Sequence, residues 1–264
     1  MLDLTHLKFR GDTGSYGCYP KAMSEEQGIK MYYKCSNFYT GALKFGDESW
    51  YEVICSRLFR HLGLPCVSYE IQEARIIVKG IDITTFLCVS DDFARGYDNK
   101  ITFENFRMLN MKLSLDDIIS KYNFTEAINN MLIADFITMQ RDRHGANIEV
   151  LEKDGKYEIA PLFDNGLTFF SPYPSYDERN INRVVTYDLL NDIPVNNYIG
   201  ERSLYENLYR LKKPVKVNSL FDDDIDDILR GIEMPEEYLD AIHKMIRIRY
   251  NWLRGGGFID DTNI

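Results

Sequence analysis

Apolar and polar positions change their rhythm once along this chain. Roughly the first ninety residues consist of short apolar and aromatic runs broken by turns, among them LTHLKF, GIKMYYKC, VSYEIQEARIIVKG and TTFLCV. Such runs predict strands of an antiparallel sheet. One segment interrupts them. In SWYEVICSRLFRHLGL, Trp50, Val53, Ile54, Leu58 and Leu62 recur at helical spacing, Asp47 or Ser49 can cap the start, and Gly63 with Pro65 supplies the stop.

After the polar stretch SDDFARGYDNK the spacing becomes helical, in SLDDIISKY and in FTEAINNMLIADFITMQ. ANIEVLE and YEIAPLF, joined by KDGK, predict a hairpin, because Asp-Gly suits the tight turns that match strand twist. Helical patterns return in FDDDIDDILRGIE and in PEEYLDAIHKMIRIRYNWLRGGG, where Ile242, Met245, Ile246, Tyr250 and Leu253 form one stripe. The trailing GGGFIDDTNI reads as a loose end. The expected fold class is α+β with two lobes: a small antiparallel β lobe carrying one helix over 1–90, and a larger helical lobe over 91–264.

Composition narrows the function classes. With 264 residues, 45% of them apolar, the chain can bury a substantial core. No segment has the apolar length of a membrane span and the N-terminus lacks a leader pattern, so a cytoplasmic protein without membrane contact is expected. Five cysteines, Cys18, Cys35, Cys55, Cys66 and Cys88, form no C-x-x-C pair and read as free thiols. A formal net charge of −10 argues against direct nucleic-acid binding, which rests on a basic face. It does not exclude a nucleotide substrate, since a metal ion and a few placed lysines set the field within a cleft.

The candidate chemistry lies in MQRDRHGANIEV and, beyond the hairpin, in PLFDNG. Asp142 and Asn147 stand in the D-x-x-x-x-N relation of a kinase catalytic loop, in which the aspartate accepts the substrate hydroxyl proton and the asparagine ligates Mg²⁺. Asp164, in Asp-Asn-Gly, takes the place of the second metal ligand. Mg²⁺ prefers oxygen donors and keeps several waters, so one carboxylate and one amide oxygen suffice beside the phosphates of ATP. Either piece alone is also an ordinary polar loop or turn, but the intervening hairpin would return the chain so that Asn147 and Asp164 meet. His144 reads as a scaffold of the catalytic loop, with a catalytic acid or a metal ligand as alternatives. Arg143 reads as a contact to phosphate or substrate, or as a counter-charge to the aspartates.

This motif pair resembles that of the HipA family of bacterial serine/threonine kinases, which is distantly similar to phosphoinositide kinases. D-R-H occurs in both groups and does not by itself separate protein from lipid substrates. In the HipA-like family a phosphate loop precedes a lysine-bearing strand, as in Gly14-Ser15-Tyr16-Gly17 followed by Lys21, then a second lysine strand, here with Lys34, and then a helix, here with Glu52. The resemblance implies that Gly14, Ser15, Tyr16, Gly17 and Lys21 approach the nucleotide, that Lys34 contacts its phosphates, and that Glu52 holds Lys34. Lys30 and Lys44 are rivals for the lysine. It further implies ATP and Mg²⁺ as cofactors, a protein substrate, and autophosphorylation at Ser15.

Two departures stand out: HipA has a further N-terminal segment without a counterpart here, and Gln140 replaces the asparagine that many relatives carry two positions before the catalytic aspartate. A small-molecule or lipid kinase and a nucleotide-binding pseudokinase are the alternative readings.

Overall fold

The computed structural model describes residues 1–10, 19–39, 44–171, 182–183 and 189–261. Gly14, Ser15, Tyr16 and Gly17 lie outside the described residues, as does Cys18.

The aromatic and β-branched runs of the N-terminal part form a five-stranded sheet in the order β1 (Leu2–Asp3), β6 (Glu70–Val78), β7 (Ile81–Asp91), β3 (Ile29–Cys35), β2 (Lys21–Glu26). Its pairings are antiparallel except for β1 with β6. Alternation gives the sheet two unlike faces. Cys35, Ala74, Ile76, Val78, Leu87 and Val89 make a small core on one face with Leu4 and Phe38. On the other face the register sets Lys21 beside Lys34 and Lys34 beside Cys88, with Tyr32 beside Ser90 in the next row. Directly paired residues share a face, so two lysines of adjacent strands stand side by side above the apolar body of the protein.

Helix α1 (Glu48–His61) packs on that second face, with Trp50 against Phe86 at 5.1 Å between ring centres. Asp47 is its N-cap, without a side-chain cap bond, and Gly63 takes the left-handed φ of +75° that ends it. The main apolar core runs without interruption from Trp50, Ile54 and Leu58 of α1 into the helical remainder of the chain. Short strands β4 (Phe38–Tyr39) and β5 (Lys44–Phe45) form a ladder just before α1.

The polar stretch after β7 leads into β8 (Asn99–Thr102), which the sequence pattern did not reveal; it pairs with β10 (Glu149–Lys153), the first arm of the expected hairpin, whose second arm is β11 (Lys156–Ile159). Thr102 caps the short α2 (Phe103–Leu109), Ser114 caps α3 (Leu115–Lys121) through a reciprocal box with Asp117, and α4 (Thr125–Thr138) follows as a central helix buried without a break from Met131 to Thr138. β9 (Asp142–Arg143) pairs in parallel with β12 (Asn196–Asn197), and α5 (Leu204–Leu208), β13 (Val215–Lys216), α6 (Asp222–Leu229) and α7 (Glu236–Gly255) complete the order.

The stripe of Ile242, Met245, Ile246, Tyr250 and Leu253 on α7 is buried as expected. The tail is not loose as far as Asp261: β14 (Ile259–Asp260) pairs with β13, Phe258 stacks on Trp252, and Tyr250 donates to Asp261 at 2.7 Å. Among the described residues no helix is long and apolar enough to cross a membrane.

Candidate active site

Helix α4 delivers the catalytic-loop motif. It stops at Met139, which turns the chain through a left-handed φ of +53°, and the Gln140 N–H then closes back on the Asp135 carbonyl at 2.9 Å. The loop that follows is braced from within. Gln140 accepts from the Asp142 N–H at 3.1 Å and donates to the Asp164 carbonyl at 3.1 Å, so one amide side chain ties the loop to the Asp-Asn-Gly turn. Asn147 donates its amide to the Asp142 carbonyl at 2.8 Å. The Ala146 N–H donates to His144 Nδ1 at 3.2 Å, which leaves Nε2 to carry the ring proton, 3.6 Å from Asp142 Oδ2. His144 is thus hydrogen-bonded within its own loop.

Arg143 does something the sequence reading did not foresee. It is not at a phosphate or in solvent but buried, 1% exposed, and ion-paired with Asp135 of α4 at 2.8 Å. Its remaining N–H groups reach the Asn147 carbonyl, the Phe163 carbonyl and Asn165 Oδ1. One guanidinium therefore joins α4, the loop that follows it and the Asp-Asn-Gly turn, using the planar fork that lysine lacks. The available signal was Asp135 itself, a lone charge within the apolar run MLIADFITM that had to find a buried partner.

The Asp-Asn-Gly turn is held in a conformation uncommon for an aspartate, with Asp164 at φ +56°. The Asn165 N–H donates to Glu52 Oε2 at 2.7 Å, and a Cβ at Gly166 would come within 3.1 Å of Glu48 Cβ, so glycine is what lets the turn lie against α1. Glu52, fully buried on α1, gives its other oxygen to Lys34. Lys34 in turn reaches Asp164, so a lysine on the sheet, a glutamate on α1 and an aspartate on the turn form one connected group.

The electrostatics follow from that contact. Burial alone would lower the Lys34 ammonium, yet Asp164 and Glu52 beside it hold it well above its ordinary value. Burial pushes the Glu52 carboxyl up against the opposing pull of Lys34. Burial likewise favours the neutral form of Asp164, but Lys34 outweighs it and keeps that carboxyl low. Lys21 is shifted down by burial, with Asp164 opposing.

A cavity of about 760 Å³ opens between the sheet face and the loops just described; Lys21, Lys34, Asp142, His144, Asn147 and Asp164 line it. Tyr69, Cys88, Phe93, Phe163 and Leu167 give it an apolar side, on which Phe93 and Phe163 stack at 5.3 Å. Of the rivals to Lys34, Lys30 is exposed and not part of the lining. All the expected site residues within the described part are thus at this cavity except Glu52, which acts from beneath Lys34. Asn196, which no motif pointed to, donates to Asp142 Oδ1 at 2.9 Å.

The donor set suits a hard cation. Asn147 commits its amide nitrogen to a carbonyl, which leaves its oxygen as the available donor, and the Asp164 carboxylate remains partly accessible, 26% exposed.

No protein-family model matches the chain, and no curated protein matches it in sequence. Among solved structures, it is similar to the Helicobacter pylori proinflammatory kinase CtkA, with 15% identity over 95% of this chain and 94% of that one and a TM-score of 0.61. A second match, to the Shewanella oneidensis MR-1 toxin–antitoxin complex of HipA, HipB and operator DNA, has 14% identity, covers 94% of this chain and 58% of the other, and at a TM-score of 0.39 carries no argument. The chain therefore has, on the strength of the first match, the fold of a kinase, CtkA.

Proposed function

We propose that this protein is a HipA-like kinase that transfers the γ-phosphate of ATP to a serine or threonine hydroxyl of a protein. The observation that carries the reading is the connected group Lys34, Glu52 and Asp164 facing Asp142 and Asn147 across one cavity. In this reading 1–90 is the ATP-binding lobe and 91–264 the catalytic lobe. Lys34 and Lys21 meet the phosphates, and the base lies against Tyr69, Cys88 and Phe93.

Asp142 orients the acceptor hydroxyl and takes its proton as the new bond to phosphorus forms. Glu52 keeps Lys34 extended into the cavity. Asn147 and Asp164 are the residues that would hold Mg²⁺, which when bound offsets the charge of the phosphates. His144 braces the loop that carries Asp142. Ser15, from the sequence resemblance, is the site of autophosphorylation; phosphate found only elsewhere after incubation with Mg-ATP would overturn that assignment.

The test is transfer of radiolabelled phosphate from ATP to protein, lipid and metabolite pools by the full chain and by Asp142→Asn. Labelled protein at serine and threonine, falling by about 10²–10⁴ in the variant while Mg-ATP still binds, is the expected result. Label in lipid or metabolite alone would move the acceptor class, and equal transfer by parent and variant would remove Asp142 from its role.

A further inference from the structure

We infer that Asn196 is a positioning residue that selects which oxygen of Asp142 acts as the base, an inference that rests on the kinase reading above.

Asp142 is fixed at its backbone on both sides, its N–H on Gln140 and its carbonyl on Asn147. Those bonds place the Cα but leave the carboxylate free to rotate. The two carboxylate oxygens are chemically equal until something distinguishes them. Asn196 Nδ2 does so at hydrogen-bond distance, donating to Oδ1 at 2.9 Å, whereas Oδ2 has His144 Nε2 only at 3.6 Å, beyond a hydrogen bond, and is the oxygen left for the acceptor. In the transfer step the hydroxyl proton passes to Oδ2 as the acceptor oxygen bonds to the γ-phosphorus and the bond from that phosphorus to the leaving ADP oxygen breaks. The amide on Oδ1 keeps its own hydrogens throughout. An amide suits this place: it donates a hydrogen bond without charge and, at neutral pH, neither gives up nor takes a proton.

Asn196 is itself held in place. Its N–H donates to the Arg141 carbonyl at 2.8 Å, and the next rung is the Tyr198 N–H on the Arg143 carbonyl at 3.0 Å, so β12 is bonded to the catalytic loop on both sides of Asp142. Asn197 turns the opposite way and accepts from the N–H groups of Ile199 and Gly200. Tyr198 packs edge-on against Phe103 of α2, 6.1 Å between centres, with the Arg107 guanidinium over its ring. A side chain that is exposed is thereby carried on a backbone that is hydrogen-bonded to the loop on both sides. The bond it makes adds little to folding at such a site, which is why its value must be sought in geometry.

The experiment measures ADP release from Mg-ATP, with a mixed serine/threonine peptide pool as acceptor, for the full-length parent, Asp142→Asn, Asn196→Ala, Asn196→Gln and Asn196→Asp. Parent turnover well above that of Asp142→Asn establishes the kinase reading independently. Given that, Asn196→Ala should lose about 10–100-fold in kcat, as expected for a misplaced reacting group. Asn196→Asp, which sets a second carboxylate beside the first, should lose at least as much, and Asn196→Gln should regain most of the loss. KM for ATP, Mg-ATP affinity and melting temperature should stay at parental values in all three.

An Asn196→Ala enzyme as fast as the parent overturns the inference alone. So does a parallel fall of kcat, ATP affinity and melting temperature in the alanine and glutamine variants, which marks a structural role. A parent no faster than Asp142→Asn removes the kinase reading, and the inference with it.

Discussion

Arg143 and Asp135 form an ion pair at 2.8 Å in which each side chain is only 1% exposed. A buried pair of this kind contributes little over an apolar substitute, but a single partner left behind is costly. Arg143→Met should therefore destabilise the chain by about 3–5 kcal/mol in denaturant unfolding. Arg143→Met combined with Asp135→Leu should cost clearly less than the two single changes added together. Additive costs would show that the two charges do not compensate each other.

Lys34→Met strands Glu52, whose carboxyl burial already pushes above its ordinary 4.5. A carboxyl whose folded-state pKa is raised contributes stability below its unfolded value, and that contribution is lost as pH rises through the folded value. The deficit of Lys34→Met relative to the parent should thus be small in acid and grow as pH climbs above 4.5. Adding Glu52→Gln should flatten that slope. Urea midpoints measured across pH would check both, and a deficit independent of pH in the single variant would contradict the assignment.

Gly145 sits in the loop after Asp142 with no room for a methyl group: a Cβ would lie 2.8 Å from Glu104 Cβ and 3.2 Å from the Tyr198 ring. Gly145→Ala must push the loop away from α2 or from β12. The expected cost is about 1–3 kcal/mol of stability with a larger loss of turnover, since the same shift moves Asp142. Glu104→Gly in the same chain removes the nearer atom and should restore part of the activity, as kinetic assay of the double variant would show.

Asp164→Ala should abolish the metal dependence of nucleotide binding. Titration of the parent with ATP should weaken markedly when EDTA removes the divalent ion, whereas the variant should bind equally poorly with and without it. Lys34, no longer shared between two carboxylates, retains Glu52 in that variant, so the fold should persist and circular dichroism should remain parental.

Much of this was legible in the sequence because local patterns carried it. Helical spacing marked α1, α3, α4, α6 and α7, Asp-Gly marked the β10–β11 turn, and D-x-x-x-x-N together with Asp-Asn-Gly beyond that hairpin singled out Asp142, Asn147 and Asp164, which line one cavity. What escaped was what no local pattern encodes. Asn196 reaches Asp142 across 54 positions through a two-residue parallel ladder, too short to leave a periodicity. Arg143 read as a contact to phosphate or substrate, or as a counter-charge to the aspartates of its own loop and turn, while its ion-pair partner, Asp135, comes from α4 and its further bonds reach Phe163 and Asn165. Strand β8 was hidden in a polar stretch, since only one of its faces meets apolar neighbours.

Helix α1 has buried residues nearly all around its circumference, Trp50 toward the sheet and Val53, Leu58 and Phe59 within the main core. Arg57 adds bonds to the carbonyls of Ile228 and Arg230 at the end of α6. A helix so enclosed cannot swing outward without exposing apolar surface on two flanks at once. Glu52 is accordingly presented to Lys34 from a helix anchored on several sides, so a break in that contact has to begin with Lys34 on its strand rather than with α1.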